Sequence, residues 1–338
     1  MLRGIGSQWR CDRSGSGACG GRWRPMLGGR RALPCVVIGL IVVVVSAMYA
    51  RAVSARAQRS LKGELFKYGY GSAHVAFAHG DHLRHVILIG GLTDGLFATN
   101  YAAPLAREMD RRGWSTVMTL LSSSHDGYGT SSLDRDAEEL MMLVETLGGS
   151  EYALVGHSTG SQDIVRFVDL ATKQGKATPS ACVLQAGVSD REALAMEEGN
   201  AERIATAEAM VAAGKADEIM PRATFAVDET TGLGTPITAR RFLSFAAVGG
   251  DDDMFSWDLS DEALRGLLGH MESTRTLVLM SGADEYVPSA VDVGALAERL
   301  AAAMGPSAKA EVIPGADHGL TQSVDEAVRI ISDFIQPK

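Results

Sequence analysis

Short apolar runs alternate with helical stripes from residue 75 to the C-terminus. Segments 75–78, 85–89, 116–121, 152–155, 181–186, 276–280 and 310–313 each read as a strand. Their nearly unbroken apolar character suits strands covered on both faces, as in a parallel sheet. Between them, apolar residues recur three and four apart. Tyr101, Leu105 and Met109 form one such stripe; Leu133, Ala137, Leu140, Met141 and Val144 form a second. Ile164, Val165, Val168 and Leu170 form a third, and Val324, Ala327, Val328, Ile331 and Phe334 close the chain. Ser131 or Ser132 can cap the second helix, with Asp134 and Asp136 favourable near its positive end. Strands alternating with helices predict an α/β domain built on a mostly parallel sheet, with helices on both faces.

One junction carries chemistry. The run Tyr152–Val155 leads into Gly156-His157-Ser158-Thr159-Gly160, and the third helical stripe follows at once. A serine flanked by glycines between a strand and a helix is the nucleophile elbow of an α/β-hydrolase. The glycines let strand and helix pass closely while a strained turn lifts the serine hydroxyl clear of the sheet. Ser158 is therefore the expected nucleophile. In this fold the loop after the third strand supplies one oxyanion N–H and the residue after the nucleophile supplies the other. The strand 85–89 ends in Gly90-Gly91-Leu92-Thr93-Asp94-Gly95, which assigns those donors to the backbones of Leu92 and Thr159.

An acid and a base are needed to complete the set. The strand 276–280 ends in Ser281-Gly282-Ala283-Asp284-Glu285-Tyr286-Val287-Pro288, and Asp284 is the best-placed acid. Glu285 and Asp190 are the reserves. The last strand ends in Pro314-Gly315-Ala316-Asp317-His318-Gly319, so His318 is the expected general base. The chain order Ser158, Asp284, His318 is the order this fold uses. Almost ninety residues separate the sixth and seventh strands, which predicts a helical cap over the site at about 188–275. His125 falls near the expected active-site edge and reads as a solvated loop histidine, with substrate contact as the alternative.

The N-terminal residues depart from this pattern. Residues 1–31 are rich in Arg and Gly, and Gly15, Gly17 and Gly20 fit G-x-G-x-x-G. No strand pattern precedes that match and no helix pattern follows it, so it carries no dinucleotide site. Residues 32–50 are uncharged, and a helix of that length spans roughly 28 Å, enough for a bilayer. A signal anchor, a cleaved signal peptide and an organellar presequence all fit. Seven Arg precede the segment, favouring a cytoplasmic N-terminus. The expectation is a transmembrane anchor at 32–50 with the hydrolase domain extracytoplasmic; the alternative is an organellar or secretory protein after cleavage. Residues 51–62 read as a basic linker, and 63–338 as the hydrolase domain.

Charge and cysteine usage narrow the partners. Residues 1–60 carry ten Arg and one Asp, whereas the remainder carries 22 basic and 40 acidic residues. An acidic body excludes nucleic acid, which needs a basic face. Cys182 is alone in that body, so no disulfide framework or cysteine zinc site is expected. Asp251, Asp252, Asp253 and Asp258 cluster, but adjacent side chains diverge and no His or Cys lies nearby. Helix capping and cap packing are the expected roles, with no metal and no cofactor.

The segments GGLTDGL, DGYGTSSLDRD, GHSTGSQD, LQAGVSDREA, GGDDDMFSWDLSDE, SGADEYVP and PGADHG together allow a family to be named. From about Gly63 onward the chain resembles a family of uncharacterised α/β-hydrolases that includes fungal siderophore esterases of the fusarinine type. The resemblance implies a serine carboxyl-ester hydrolase with Ser158, Asp284 and His318 as its triad, acting on a small-molecule ester. A siderophore-type ester is one substrate it suggests. A transacylase with the same triad, or a non-catalytic ligand-binding member of the fold, are the alternatives.

Overall fold

The computed structural model describes residues 60–148, 151–221 and 234–336. Eight strands form one sheet: β1 (Glu64–Lys67), β2 (Val75–His79), β3 (His85–Ile89), β4 (Ser115–Thr119), β5 (Tyr152–His157), β6 (Ala181–Gln185), β7 (Thr276–Ser281) and β8 (Ala308–Ile313). Their spatial order is β1-β2-β4-β3-β5-β6-β7-β8. β1 and β2 are antiparallel to each other, and β2 is antiparallel to β4. From β4 to β8 every pairing is parallel. β1 is an addition to the strands read from sequence: it is short and only Phe66 is partly covered, so no apolar run announces it.

The strand period of two divides the core into two layers. Ile87, Leu154, Cys182, Leu184, Val278 and Met280 face one side. Their chain neighbours Val86, Ala153, Val155, Val183, Leu277 and Leu279 face the other. The first side is covered by α2 (Leu133–Thr146) and α3 (Gly160–Lys173); the second by α1 (Ala102–Arg111) and the C-terminal helix, which is α9. Ser132 caps α2, its Oγ accepting the Arg135 N–H at 3.3 Å.

Between β6 and β7 lie α4 (Asp190–Ala195), α5 (Asn200–Ala212), α6 (Ala239–Ala246) and α7 (Asp261–Leu268), then a 3₁₀ turn at Gly269–Ser273. Beyond β7 come α8 (Val293–Met304) and α9 (Val324–Ile335). The segment has two destinations. Ala207, Met220, Ile237, Phe242 and Phe245 form a separate apolar cluster, with Leu92 and Tyr128 packed against it. Met254, Phe255, Leu264, Leu268 and Met271 instead join the main core. Only the first portion covers the site; the second serves as the crossover between neighbouring parallel strands.

The acidic cluster joins these two portions to the sheet-covering helices. Arg166 of α3 binds Asp251 at 2.5 Å and Asp134 at 2.7 Å. Arg241 of α6 holds Asp252 in a two-pronged contact at 2.6 and 3.1 Å, while Arg191 of α4 holds Asp253 at 3.0 Å and also Asp258. All four carboxylates bind arginines, and for the buried Asp252 and Asp253 such pairing is what burial of charge requires.

The expectation of a membrane-anchored protein needs correction. An α-helix needs about 20 predominantly apolar residues to cross a bilayer. The longest described helices, α2 and α3, have 14 residues each and a polar face. Among the described residues no helix is long and apolar enough to cross a membrane. Membrane partnership and extracytoplasmic placement therefore have no support; residues 32–50, which suggested them, lie outside the described residues.

Candidate active site

The carboxyl ends of four neighbouring strands gather the candidate groups. Ser158 follows β5 with φ 54°, a left-handed backbone that costs a non-glycine residue energy and persists only where surroundings enforce it. The Ser158 N–H donates to the Gln185 carbonyl of β6 at 2.9 Å, and the Ser158 carbonyl accepts from the Ser161 N–H at 2.8 Å. These bonds hold the turn from both sides. The close passage behind it depends on Gly160. A Cβ there would lie 2.6 Å from the Ile89 carbonyl oxygen and 2.7 Å from that of Gly90. Both obstacles are backbone. Gly160→Ala is expected to destabilise the fold by about 1–3 kcal/mol and to lower the yield of folded protein, measurable by denaturant unfolding.

His318 follows β8, and its Nδ1 lies 2.8 Å from Asp284 Oδ2. The Asp284 side chain is fully buried, and its other oxygen accepts the Tyr286 N–H at 3.0 Å. Glu285, one residue on, accepts the backbone N–H of His318 at 3.0 Å instead. Asp190 is occupied elsewhere, accepting from Gln162 Nε2 at 2.8 Å. Tyr286 packs edge-on against the His318 ring, with centroids 4.7 Å apart. His125 is exposed and does not line the cavity described next.

Ser158 and His318 both line a cavity of about 730 Å³, within the size range of small-molecule sites. Its far wall is the cap cluster, chiefly Leu194, Ile237, Phe242 and Phe245; Gly91, Leu92 and Thr159's neighbour Ser158 form its floor. A Cβ on Gly91 would lie 2.7 Å from Ser158 Cβ, so the backbone of the loop after β3 runs directly beside the serine. Leu92 and Thr159 are together, but the Leu92 N–H donates to Thr159 Oγ1 at 3.2 Å. Rotation of the Thr159 side chain about Cα–Cβ would free the Leu92 N–H. Thr159 starts α3 without a side-chain cap, unlike α2, α6, α7 and α8. The positive end of α3 is thus left open beside Ser158.

Behind the loop after β3 lies a buried ionic group that the sequence pattern did not reveal. Arg241 is 4% exposed; besides Asp252 it donates to the Tyr128 carbonyl at 3.1 Å and stacks 3.9 Å from the Phe245 ring centre. Asp163 of α3 and Asp136 of α2 border the same small polar void as Arg241 and Thr159. Burial, then the charge of Asp136, pushes Asp163 well above the usual carboxylate range. Burial likewise raises Asp136 to about 6. A carboxylate raised in the folded state stabilises the fold below its unfolded pKa near 4 and loses that contribution as pH rises through 6. Asp136→Asn is free of that loss. Its melting temperature relative to wild type should therefore climb between pH 4 and pH 7, as read by thermal melts across that range; a constant difference would contradict it.

Residues 56–336 match a protein family described as a protein of unknown function, DUF1749. The chain belongs to this family. It is 32% identical over 295 residues to fusarinine C esterase sidJ of Aspergillus fumigatus, covering 70% of this chain and 82% of the relative. It is 31% identical over 268 residues to UPF0613 protein PB24D3.06c of Schizosaccharomyces pombe, covering 72% and 83%. Among solved structures, siderophore hydrolase EstB from Aspergillus fumigatus superposes with a TM-score of 0.63 at 27% identity, covering 82% of this chain and 98% of that one. The chain thus has the α/β-hydrolase fold.

Proposed function

We propose that residues 63–338 form a serine carboxyl-ester hydrolase that works through an acyl-enzyme on small-molecule esters. The observation that carries this reading is the 2.8 Å His318–Asp284 contact beside a cavity that also exposes the strained Ser158. With Nδ1–H donated to Asp284, His318 keeps Nε2 free to accept the Ser158 proton. Ser158 Oγ attacks the ester carbonyl, and the developing oxyanion accepts from the Leu92 and Thr159 N–H groups. The intermediate collapses, His318 returns its proton to the leaving alcohol, and the acyl group stays on Ser158. Water, deprotonated by His318, then releases the acid and restores the serine.

The names of the relatives sidJ and EstB direct attention to siderophore esters as the first substrate class. The apolar cap wall accommodates an aliphatic acyl or alcohol part, and no cofactor enters the scheme. An ester panel that includes hydroxamate siderophore esters, with acid and alcohol products both quantified, tests the proposal. Stoichiometric release of acid is expected. Transfer of the acyl group to an added alcohol in preference to water would make the chain a transacylase.

A further inference from the structure

One buried residue ties the serine, its preceding neighbour and the candidate base together. Gln185 ends β6 and is 0% exposed. Its backbone carbonyl accepts the Ser158 N–H at 2.9 Å. Its side-chain Nε2 donates to the His318 carbonyl at 3.0 Å, while Oε1 accepts the Tyr101 hydroxyl at 3.1 Å and faces His157 Nδ1 at 2.7 Å. The amide can sit only one way round. A carbonyl oxygen can only accept, so the amide group facing His318 O is the NH₂. Oε1 therefore faces His157, and His157 must donate from Nδ1. Tyr101 reinforces the arrangement, because burial raises its phenol pKa and keeps the hydroxyl a donor.

This matters because His157 precedes Ser158 and its ring lies 4.9 Å from that of His318, centre to centre. Both rings line the cavity that holds Ser158, so their orientations decide which nitrogens face it. We propose that Gln185 is a positioning residue: its Oε1 fixes the His157 ring as the Nδ1–H tautomer and its Nε2 pins the His318 backbone beside the Ser158 turn. The inference rests on the hydrolase reading for its kinetic consequence, but not for its tautomer. Burial, and next the neighbouring His318, hold the His157 pKa below the ordinary range and outweigh the Gln185 hydrogen bond, which raises it; the neutral ring is owed to its surroundings and its tautomer to Gln185. The charged groups facing the two rings are Asp284 and Glu285 from the loop after β7 and Asp94 from the loop after β3; Tyr101 and Tyr286 are the titratable neighbours.

Three variants of the full chain separate positioning from simple packing. Gln185→Glu keeps acceptors for Tyr101 and His157, cannot donate to the His318 carbonyl, and adds an anion beside both rings. It should lower kcat roughly 10- to 100-fold with KM within about twofold, and move the acid limb of kcat/KM to higher pH. Gln185→Met, uncharged and of similar length, should lower kcat without moving that limb. Leu184→Ala opens a cavity on the same strand and should destabilise the protein while leaving both kcat and the limb in place. A folded Gln185→Met with wild-type kcat, or a Gln185→Glu with an unmoved limb, would overturn the proposal. Imidazole ¹⁵N shifts of the unsubstituted protein give a readout independent of activity and of variant folding. His157 should carry its proton on Nδ1; a proton on Nε2 would sink the inference. A protein that hydrolyses no ester and resists a fluorophosphonate probe would instead defeat the hydrolase reading, leaving the tautomer result to stand or fall alone.

Discussion

Ser158→Ala is expected to lower kcat by about 10⁶ and to abolish labelling by a fluorophosphonate probe. The residue is held at φ 54° by backbone bonds on both sides, at the open end of α3 and on the floor of the cavity. Removing only Oγ leaves those backbone bonds in place, so circular dichroism and melting temperature should change little. Labelling that persists in Ser158→Ala would move the nucleophile elsewhere and remove the basis for an acyl-enzyme at this site.

The second large effect falls on the acid. Asp284→Asn should cut kcat by about 10⁴, because an amide can donate to His318 Nδ1 and so favour the wrong tautomer. Glu285→Gln should cost less than about tenfold. Its carboxylate meets a backbone N–H, and the amide oxygen of Gln can accept the same bond. Parallel kinetics of the two variants on one ester decide the matter. A severe loss in Glu285→Gln with a mild one in Asp284→Asn would shift the acid by one residue.

The parts of the fold legible in sequence are those whose pattern is local. β5, β6 and β7 are fully or almost fully buried, so their apolar runs stand out. The elbow stands out because close passage demands glycine at 156 and 160. β1 was not legible: four residues with one half-covered side chain leave no period to detect. The fate of the insert was hidden for another reason. Leu264 and Leu268 make the same helical stripe whether they face a cap or the main core, and only tertiary packing distinguishes the two. The Gln185 and Arg241 contacts were equally invisible. Gln185 reaches residues 28 and 133 positions away, and Arg241 reaches Tyr128 across 113. No spacing rule in the chain encodes such meetings.

The sheet order has a consequence for how activity arises during synthesis. β5, β6, β7 and β8 are consecutive both in sequence and in space, and each contributes a component at its carboxyl end. Parallel strands joined by long crossovers assemble through non-local contacts, which form slowly. The Ser158 turn needs β6 for its N–H partner, and His318 emerges from the ribosome only after β8, the strand at the sheet's edge. A nascent chain ending at Ile313 already contains all eight described strands but lacks His318, the base of the proposed mechanism. On the proposed mechanism, chains that stop short of His318 are silent.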